Sequence, residues 1–203
     1  LFKNIDSNSD LKELIEMENL NNYNGYLTIS TLDLAVNLKN IIISKTDWEK
    51  IFFIKNSYLI IHETLNKLKP PKGKNLLEKS IKDDYPSLVK DFDDLMNEII
   101  EFKSTSEYKR IEKVRHYTAG HIVDSLKRYY DTVKDLNGEL AGKNIIEFMK
   151  ISKKALNLTK DYVAVANNKS LKKGENIQNK YKESLSKLDE TLKKISESRE
   201  NNE

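Results

Sequence analysis

Two residues in the middle of the chain, Arg115 and His121, have the chemical types of a charge-stabilising and proton-transferring pair. Histidine gains and loses a proton near neutral pH, so His121 is a candidate general acid or base. Arg115 interrupts an otherwise apolar seam, and a guanidinium is costly to bury without a partner because it stays charged. We therefore expect the charge of Arg115 itself to be needed, for example to stabilise an anion.

The seam around Arg115 predicts how the two side chains are positioned. Its other members recur at steps of three and four residues, apart from the gap at Arg115: Tyr108, Ile111, Thr118, Ile122, Leu126, Tyr129, Val133 and Leu136. On one unbroken helix, His121 would lie about 120° around the axis from Arg115 and about 9 Å along it. The two side chains would then not point at one site. We expect either a break at Gly120 or a second chain that completes the site.

The segment from Lys103 to Lys134 is more basic than the chain as a whole. Its eight cations and four acids give a net charge of +4, whereas the whole chain has a formal net charge of +3. On an ideal helix, Arg110 and Arg128 each lie within about 20° of the face of His121. This basic face suits phosphate contacts, so both arginines are predicted to bind substrate. The alternative is that the segment packs against the acidic stretch of residues 83–101.

Several kinds of site are excluded by composition and spacing. The chain has no cysteine, which excludes a disulfide, a thiolate nucleophile and a cysteine-bound zinc ion. His62 and Glu63 do not begin an HExxH motif because residue 66 is Asn, and the glycines are too isolated to form a phosphate-binding loop. We therefore expect no metal and no cofactor. His62 follows Tyr58 by one turn and is predicted to lie at the edge of the core.

The chain has no feature of a membrane protein. No apolar run approaches the length that spans a bilayer, and residues 1–10 lack the pattern of a signal peptide. We expect a soluble, cytoplasmic protein without a membrane partner.

Sparse glycine and proline, together with apolar spacings of three and four, predict an all-α protein, a helical bundle of about six to seven helices. Thr46 and Glu49 fit a capping box that begins one helix. The predicted helices cover residues 9–22, 30–44, 46–69, 75–103 with an interruption at 84–86, 105–136, 144–167 and 175–198, with turns at 21–25 and 69–73. We predict one helical domain over residues 1–168 and a C-terminal helical extension with a disordered tail over residues 169–203.

The stretch from Arg115 to His121, with Ile111–Val114 before it and Ile122–Asp124 after it, resembles the R-x(4–6)-H motif of the HEPN superfamily. These are all-α domains of prokaryotic toxin–antitoxin, abortive-infection and CRISPR-associated proteins. The following stretch, Leu140–Asn144 and the apolar run after it, is also similar. The resemblance is carried by residues 107–162 and implies a HEPN-like core over about residues 46–168.

The resemblance implies a metal-independent endoribonuclease, of the kind that acts as a toxin or an anti-phage defence effector. Arg115 and His121 would be catalytic, and His116 would orient the phosphate or bind a base. The implied partners are RNA, a second copy that forms a homodimer with a composite cleft at Arg115, and an antitoxin or a nucleotidyltransferase. Some members keep the fold without the activity.

Two other functions stay open from the sequence. The same helices could form a non-catalytic module that binds RNA or a protein. They could also form a purely structural bundle, in which the seam from Ile177 to Ile195 serves for oligomerisation or packing.

Overall fold

The computed structural model describes residues 7–72, 75–119 and 125–200, and every regular element in these ranges is helical. The all-α prediction is therefore confirmed. In order, the elements are α1 (Ser7–Ile43), α2 (Asp47–Leu68), α3 (Glu78–Asp84), a 3₁₀ turn (Pro86–Leu88), α4 (Val89–Ser104), α5 (Ser106–Val114), a π-helical turn (Arg115–Ala119), α6 (Leu126–Val133) and α7 (Gly138–Glu200).

One continuous helix, α1, replaces the two helices predicted before residue 45, so the predicted turn at residues 21–25 is wrong. Tyr23 lies within that predicted turn and Leu27 follows one helical turn later, and both are completely buried because they fall on the α1 face that packs into the core. Tertiary packing thus outweighs the weak helix propensity of Asn and Gly. The opposite face of α1 leaves Ile29, Leu32 and Val36 largely exposed.

The capping box at the start of α2 is confirmed. The Thr46 hydroxyl accepts a hydrogen bond from the backbone N–H of Glu49, whose carboxylate in turn accepts one from the Thr46 N–H. Helix α2 ends at Leu68, just before the predicted break at Pro70 and Pro71. The next turn is held by Asn75, whose side chain donates to the carbonyl of Leu68 at 2.6 Å and accepts from the N–H of Leu77.

Helices α1 and α2 form an antiparallel hairpin. Ser30 on α1 shares a buried 2.7 Å hydrogen bond with Thr64 on α2, and Asn37 accepts one from Asn56. As the residue number rises along α1, the residue number of the bonded partner on α2 falls, so the two helices run antiparallel. This hairpin provides the α2 surface against which the later helices pack.

The predicted interruption at residues 84–86 is confirmed. Pro86 opens the short 3₁₀ turn, where its missing N–H is not needed, and α4 follows directly. The core face of α4 consists of Phe92, Leu95, Met96 and Ile99, all buried.

The single helix predicted over residues 105–136 is wrong, because the chain changes its helical form twice within that range. Helix α5 passes into the π-helical turn at Arg115, and α6 begins only at Leu126. Thr105 caps α5 by accepting from the N–H of Tyr108, and Ser125 caps α6 by accepting from the N–H of Arg128. Residues 120–124, including the break predicted at Gly120, lie outside the described residues.

The helix α7 begins earlier and runs further than predicted. Asn137 and Gly138 begin α7 and do not end the helix before it, which already stops at Val133. The Asn137 side chain caps α7 by accepting from the N–H of Glu139 at 2.8 Å. Gly138 is closely packed: a Cβ there would lie 3.2 Å from Ile41 Cγ2, so the Ile41 side chain would have to shift by a few tenths of an ångström. The predicted break between residues 167 and 175 is absent: its one glycine, Gly174, costs a helix only about 1 kcal/mol relative to alanine.

The chain divides into two compact units, Leu1–Asp161 and Tyr162–Glu203. In the first unit, α7 is tied to α2 by a hydrogen bond from Asn144 to the hydroxyl of Tyr58 and to α1 by one from Thr159 to Asn24. The second unit consists, where described, of the rest of α7. Among the described residues, no helix combines the length and the apolar character that crossing a membrane requires.

Candidate functional site

Arg115 is the first residue of the π-helical turn that follows α5. The wider turn changes the direction of the side chains relative to α5, and π-helical turns are frequent at functional sites. The turn is stabilised by Thr118, whose buried hydroxyl donates to the carbonyl of Val114 at 2.7 Å. Val114 is buried together with Tyr108 and Ile111, whereas Arg115 is only partly buried.

The guanidinium of Arg115 is paired with Glu63 on α2. Its Nε and Nη2 atoms each lie 2.9 Å from Oε1 of Glu63, and the side chains of Arg115 and Glu63 are 33 % and 48 % exposed. A pair at this exposure contributes about 0–1 kcal/mol to stability. Arg115 is therefore charged, accessible from solvent and already bound to an acid. Sequence analysis missed Glu63 because the two residues are 52 positions apart.

The predicted site residues do not all come together. His121, the proposed proton-transfer residue, lies outside the described residues. Arg110 donates from Nη1 to the carbonyl oxygen of Asp135, 3.5 Å away, beyond the end of α6. The ideal-helix argument that placed Arg110 and Arg128 on one face is wrong, because the helix between them is not continuous.

His116, Tyr117 and Arg128 do come together. The ring of His116 meets that of Tyr117 edge to face, with centroids 4.6 Å apart. The Arg128 guanidinium carbon lies 5.2 Å from the centroid of Tyr117, within the range of a cation–π contact. His116 and Arg128 are exposed and Tyr117 is half-buried. Two sequence-predicted substrate residues thus share one aromatic neighbour that the sequence analysis did not single out.

A second cation–aromatic pair lies on α6 and α2. Lys55 donates from Nζ to the Tyr129 hydroxyl at 3.0 Å, and its Nζ lies 4.8 Å from the ring centroid. We call the side chains of His116, Tyr117, Arg128, Lys55 and Tyr129 the basic–aromatic surface. Acidic residues are also present on these elements, among them Asp131, which is paired with Lys134 at 3.1 Å.

The apolar seam predicted to continue through α6 is only partly buried. Val133 is buried, whereas Leu126 is 83 % exposed at the start of α6. Tyr130, which lies one turn after Leu126, is also exposed. Helix α6 therefore presents both charged and apolar side chains to solvent, which favours a binding role over a purely internal one.

His62 lies half-buried at the edge of the core, and both of its ring nitrogens have partners. Nε2 lies 2.8 Å from Nδ2 of Asn66, and Nδ1 lies 3.2 Å from the hydroxyl of Tyr108. Its ring also stacks on that of Tyr108, with centroids 5.9 Å apart. Burial is the main cause that lowers the pKa of His62. His62 thus has three side-chain contacts, two hydrogen bonds and one ring stack.

Within the described residues, no group of three or more His, Asp or Glu side chains is placed to hold a metal ion. No family model matches the chain, and neither a curated protein nor a solved structure with significant similarity was found. The candidate site therefore has to be judged on its own geometry and chemistry.

Proposed function

We propose that this chain binds single-stranded RNA on its basic–aromatic surface and cleaves it, as a cytoplasmic HEPN-like ribonuclease, with Arg115 and His121. The observation that carries the proposal is that Arg128 and His116 both contact the ring of Tyr117. Exposed cations next to aromatic rings are the combination by which proteins bind single-stranded nucleic acid without strict sequence preference.

Each side chain of this surface has a defined part in the proposal. Arg128 contacts a phosphate, and Tyr117 offers its ring to a base, a contact worth about 1–3 kcal/mol when it forms. His116 lies beside that ring and orients the phosphate or binds the base edge. Lys55 and Tyr129 offer a second cation–aromatic pair, between α2 and α6, for the same strand.

Cleavage would need no metal. His121 takes the proton from the attacking 2′-hydroxyl or gives one to the leaving 5′-oxygen, and Arg115 stabilises the extra negative charge on the phosphorus oxygens. The bond from the 2′-oxygen to phosphorus forms as the bond to the 5′-oxygen breaks. A homodimer would bring two copies of this pair into one cleft, and an antitoxin or a nucleotidyltransferase would be the regulating partner.

RNA binding without cleavage is the second candidate, and the ion pair between Arg115 and Glu63 favours it. A carboxylate that already neutralises the guanidinium competes with a phosphate for the same donors. In this case Arg115 connects α2 to the π-helical turn, and the basic–aromatic surface alone acts on RNA.

Binding is tested by fluorescence anisotropy with a labelled single-stranded RNA at several salt concentrations. Arg128→Gln should weaken binding and lower the salt slope by about one unit, and Tyr117→Leu should weaken binding without changing that slope. Arg110→Gln is the comparison variant: the Arg110 guanidinium donates to the carbonyl of Asp135, so its loss should weaken binding less than the loss of Arg128. Equal affinity of wild type and both surface variants would disprove the proposal.

Cleavage is tested by incubating the same RNA with wild type and with His121→Ala in the presence of EDTA. Loss of one proton-transfer group typically slows a reaction by about 10²–10⁴-fold, which a gel resolves. His62→Gln is the control histidine variant and should cleave at the wild-type rate. Binding without any cleavage by wild type would select the second candidate, and equal cleavage by wild type and His121→Ala would reject His121 as the catalytic group.

A further inference from the structure

Four side chains from α2, α4 and α5 form a chain of hydrogen bonds that RNA binding does not use. Lys103, at the end of α4, donates from Nζ to Oδ1 of Asn66 at 2.8 Å. The Nδ2 of Asn66 lies 2.8 Å from Nε2 of His62. On the other side of the imidazole, Nδ1 lies 3.2 Å from the hydroxyl of Tyr108.

Lys103 fixes the direction of every hydrogen bond in this chain. An ammonium only donates, so Asn66 must turn its Oδ1 towards Lys103 and its Nδ2 towards His62. An amide nitrogen also only donates, so Nε2 of His62 must accept and carries no proton. The proton of the neutral ring is therefore on Nδ1, from which it donates to the Tyr108 hydroxyl.

We propose that these residues form a pH-sensitive latch between α2 and α4, in which protonation of His62 at Nε2 releases Lys103. A proton on Nε2 would face the Nδ2 donor of Asn66. Rotation of the amide by half a turn gives His62 an acceptor, but it turns Nδ2 towards Lys103, whose ammonium then loses its bond to Asn66 and keeps its contact with the Tyr108 ring, 5.6 Å from Nζ to the ring centroid. The Nδ1 bond to Tyr108 persists, because Nδ1 carries a proton in both states of the ring and the Tyr108 oxygen accepts in both.

The charged groups around His62 set the pH at which the latch opens. Burial lowers the pKa of His62, and its charged neighbours are Glu63 and Glu112, which raise it, and Arg115 and Lys103, which lower it. The latch is therefore closed at neutral pH and opens only at a pH below the ordinary histidine pKa of about 6.5. Burial also lowers the pKa of Lys103, so its ammonium gains hydration when it leaves Asn66.

The test is the position of the proton on neutral His62, read by long-range ¹H–¹⁵N NMR correlation on the full chain. The chain has three histidines, and a His62→Gln variant assigns the signal. We expect the Nδ1–H form in wild type. Lys103→Met keeps the length of the side chain but leaves Asn66 free to rotate, so the Nε2–H form should appear and the pKa of His62 should rise.

The matched control is Lys69→Met, which removes a cation that acts on Lys103 but leaves the Lys103–Asn66 bond in place. Loss of a nearby charge alone changes the pKa of His62 but not its tautomer, so this variant should keep the Nδ1–H form. A wild-type Nε2–H form would overturn the latch, and so would a Lys103→Met protein that keeps the Nδ1–H form.

A second variant tests the release of Lys103 directly. In wild type, the Lys103 Cε signal should shift over the same pH range as the His62 ring signals. Asn66→Asp supplies a carboxylate that accepts from both neighbours, so it should raise the pKa of His62 and remove the coupled shift of Lys103. A wild-type Lys103 signal that does not follow His62 would contradict the proposal.

Discussion

Arg115 and Glu63 form an ion pair across 52 positions of the chain, with two guanidinium nitrogens each 2.9 Å from one carboxylate oxygen. The pair gives a physical reason for an arginine in the seam that requires no ligand, since α2 supplies the opposite charge. It also sets a condition for the proposed cleavage: an RNA phosphate would have to share Arg115 with Glu63 or displace Glu63.

Replacement of Glu63 by Gln should therefore strengthen RNA binding, because it removes the competing negative charge and keeps the shape of the side chain. The cost in folding stability should be small, up to about 1 kcal/mol, since both side chains are well exposed. RNA affinity and urea unfolding of the same protein measure the two effects. Glu139→Gln, which breaks the exposed pair with Lys143 on α7, is the control for a general loss of one acid. A Glu63→Gln protein that binds RNA more weakly than wild type would contradict the competition.

The sequence predicts local features of this fold well and interactions between distant residues poorly. The capping box at Thr46 and the break at Pro86 depend on a few neighbouring residues, and both are confirmed. The continuity of α1 depends on the burial of Tyr23 and Leu27 against other helices, which residue spacing within α1 does not reveal. The partner of Arg115 is likewise a long-range contact.

The candidate site shows the same division. The basic character of the segment and the candidate residue Arg128 can be read from composition and spacing, whereas His116 is a candidate only through the motif resemblance. Their shared contact with Tyr117 depends on the π-helical turn and on the start of α6. A periodic apolar pattern predicts an unbroken helix, so it could not show that the chain changes its helical form at Arg115.

Tyr58→Phe should destabilise the fold by about 1–3 kcal/mol. The Tyr58 hydroxyl accepts a 3.1 Å hydrogen bond from Asn144, and both residues are buried, so the substitution leaves the Asn144 amide without this acceptor. Chemical denaturation measures the change. Tyr130→Phe removes an exposed hydroxyl from α6 and should be nearly neutral. Comparable losses in the two variants would show that the buried hydrogen bond is not the cause.

Thr46→Ala should cost about 1 kcal/mol of stability, because it removes the side chain that accepts from the Glu49 N–H at the start of α2. The control is Thr28→Ala, at an exposed position within α1, where alanine is the better helix former. Thermal unfolding followed by circular dichroism compares the two variants. A Thr46→Ala protein as stable as Thr28→Ala would contradict the role of the cap.

Folding stability should fall as the pH is lowered below the ordinary histidine pKa of about 6.5. The pKa of His62 is lower in the folded protein than its ordinary value of about 6.5. The unfolded chain therefore binds a proton first, and proton uptake by the unfolded state destabilises the folded one. The contribution of neutral His62 to the free energy of unfolding is fully present above about pH 6.5. It declines as the pH falls from there through the folded-state pKa.

Urea unfolding at several pH values measures this decline in the free energy of unfolding. His62→Gln should make the decline smaller, because glutamine at position 62 does not titrate. His116→Gln removes an exposed imidazole, leaves His62 in place and should retain the wild-type decline. The measurement stays above pH 5 because the pKa of Glu49 is lowered by its backbone hydrogen bonds at the start of α2, mainly to Thr46. The contribution of Glu49 to folding stability is present above the ordinary pKa of a glutamate carboxyl group. It is lost only as the pH falls through the lower folded-state pKa. A pH dependence that is the same with and without His62 would assign the decline to other groups.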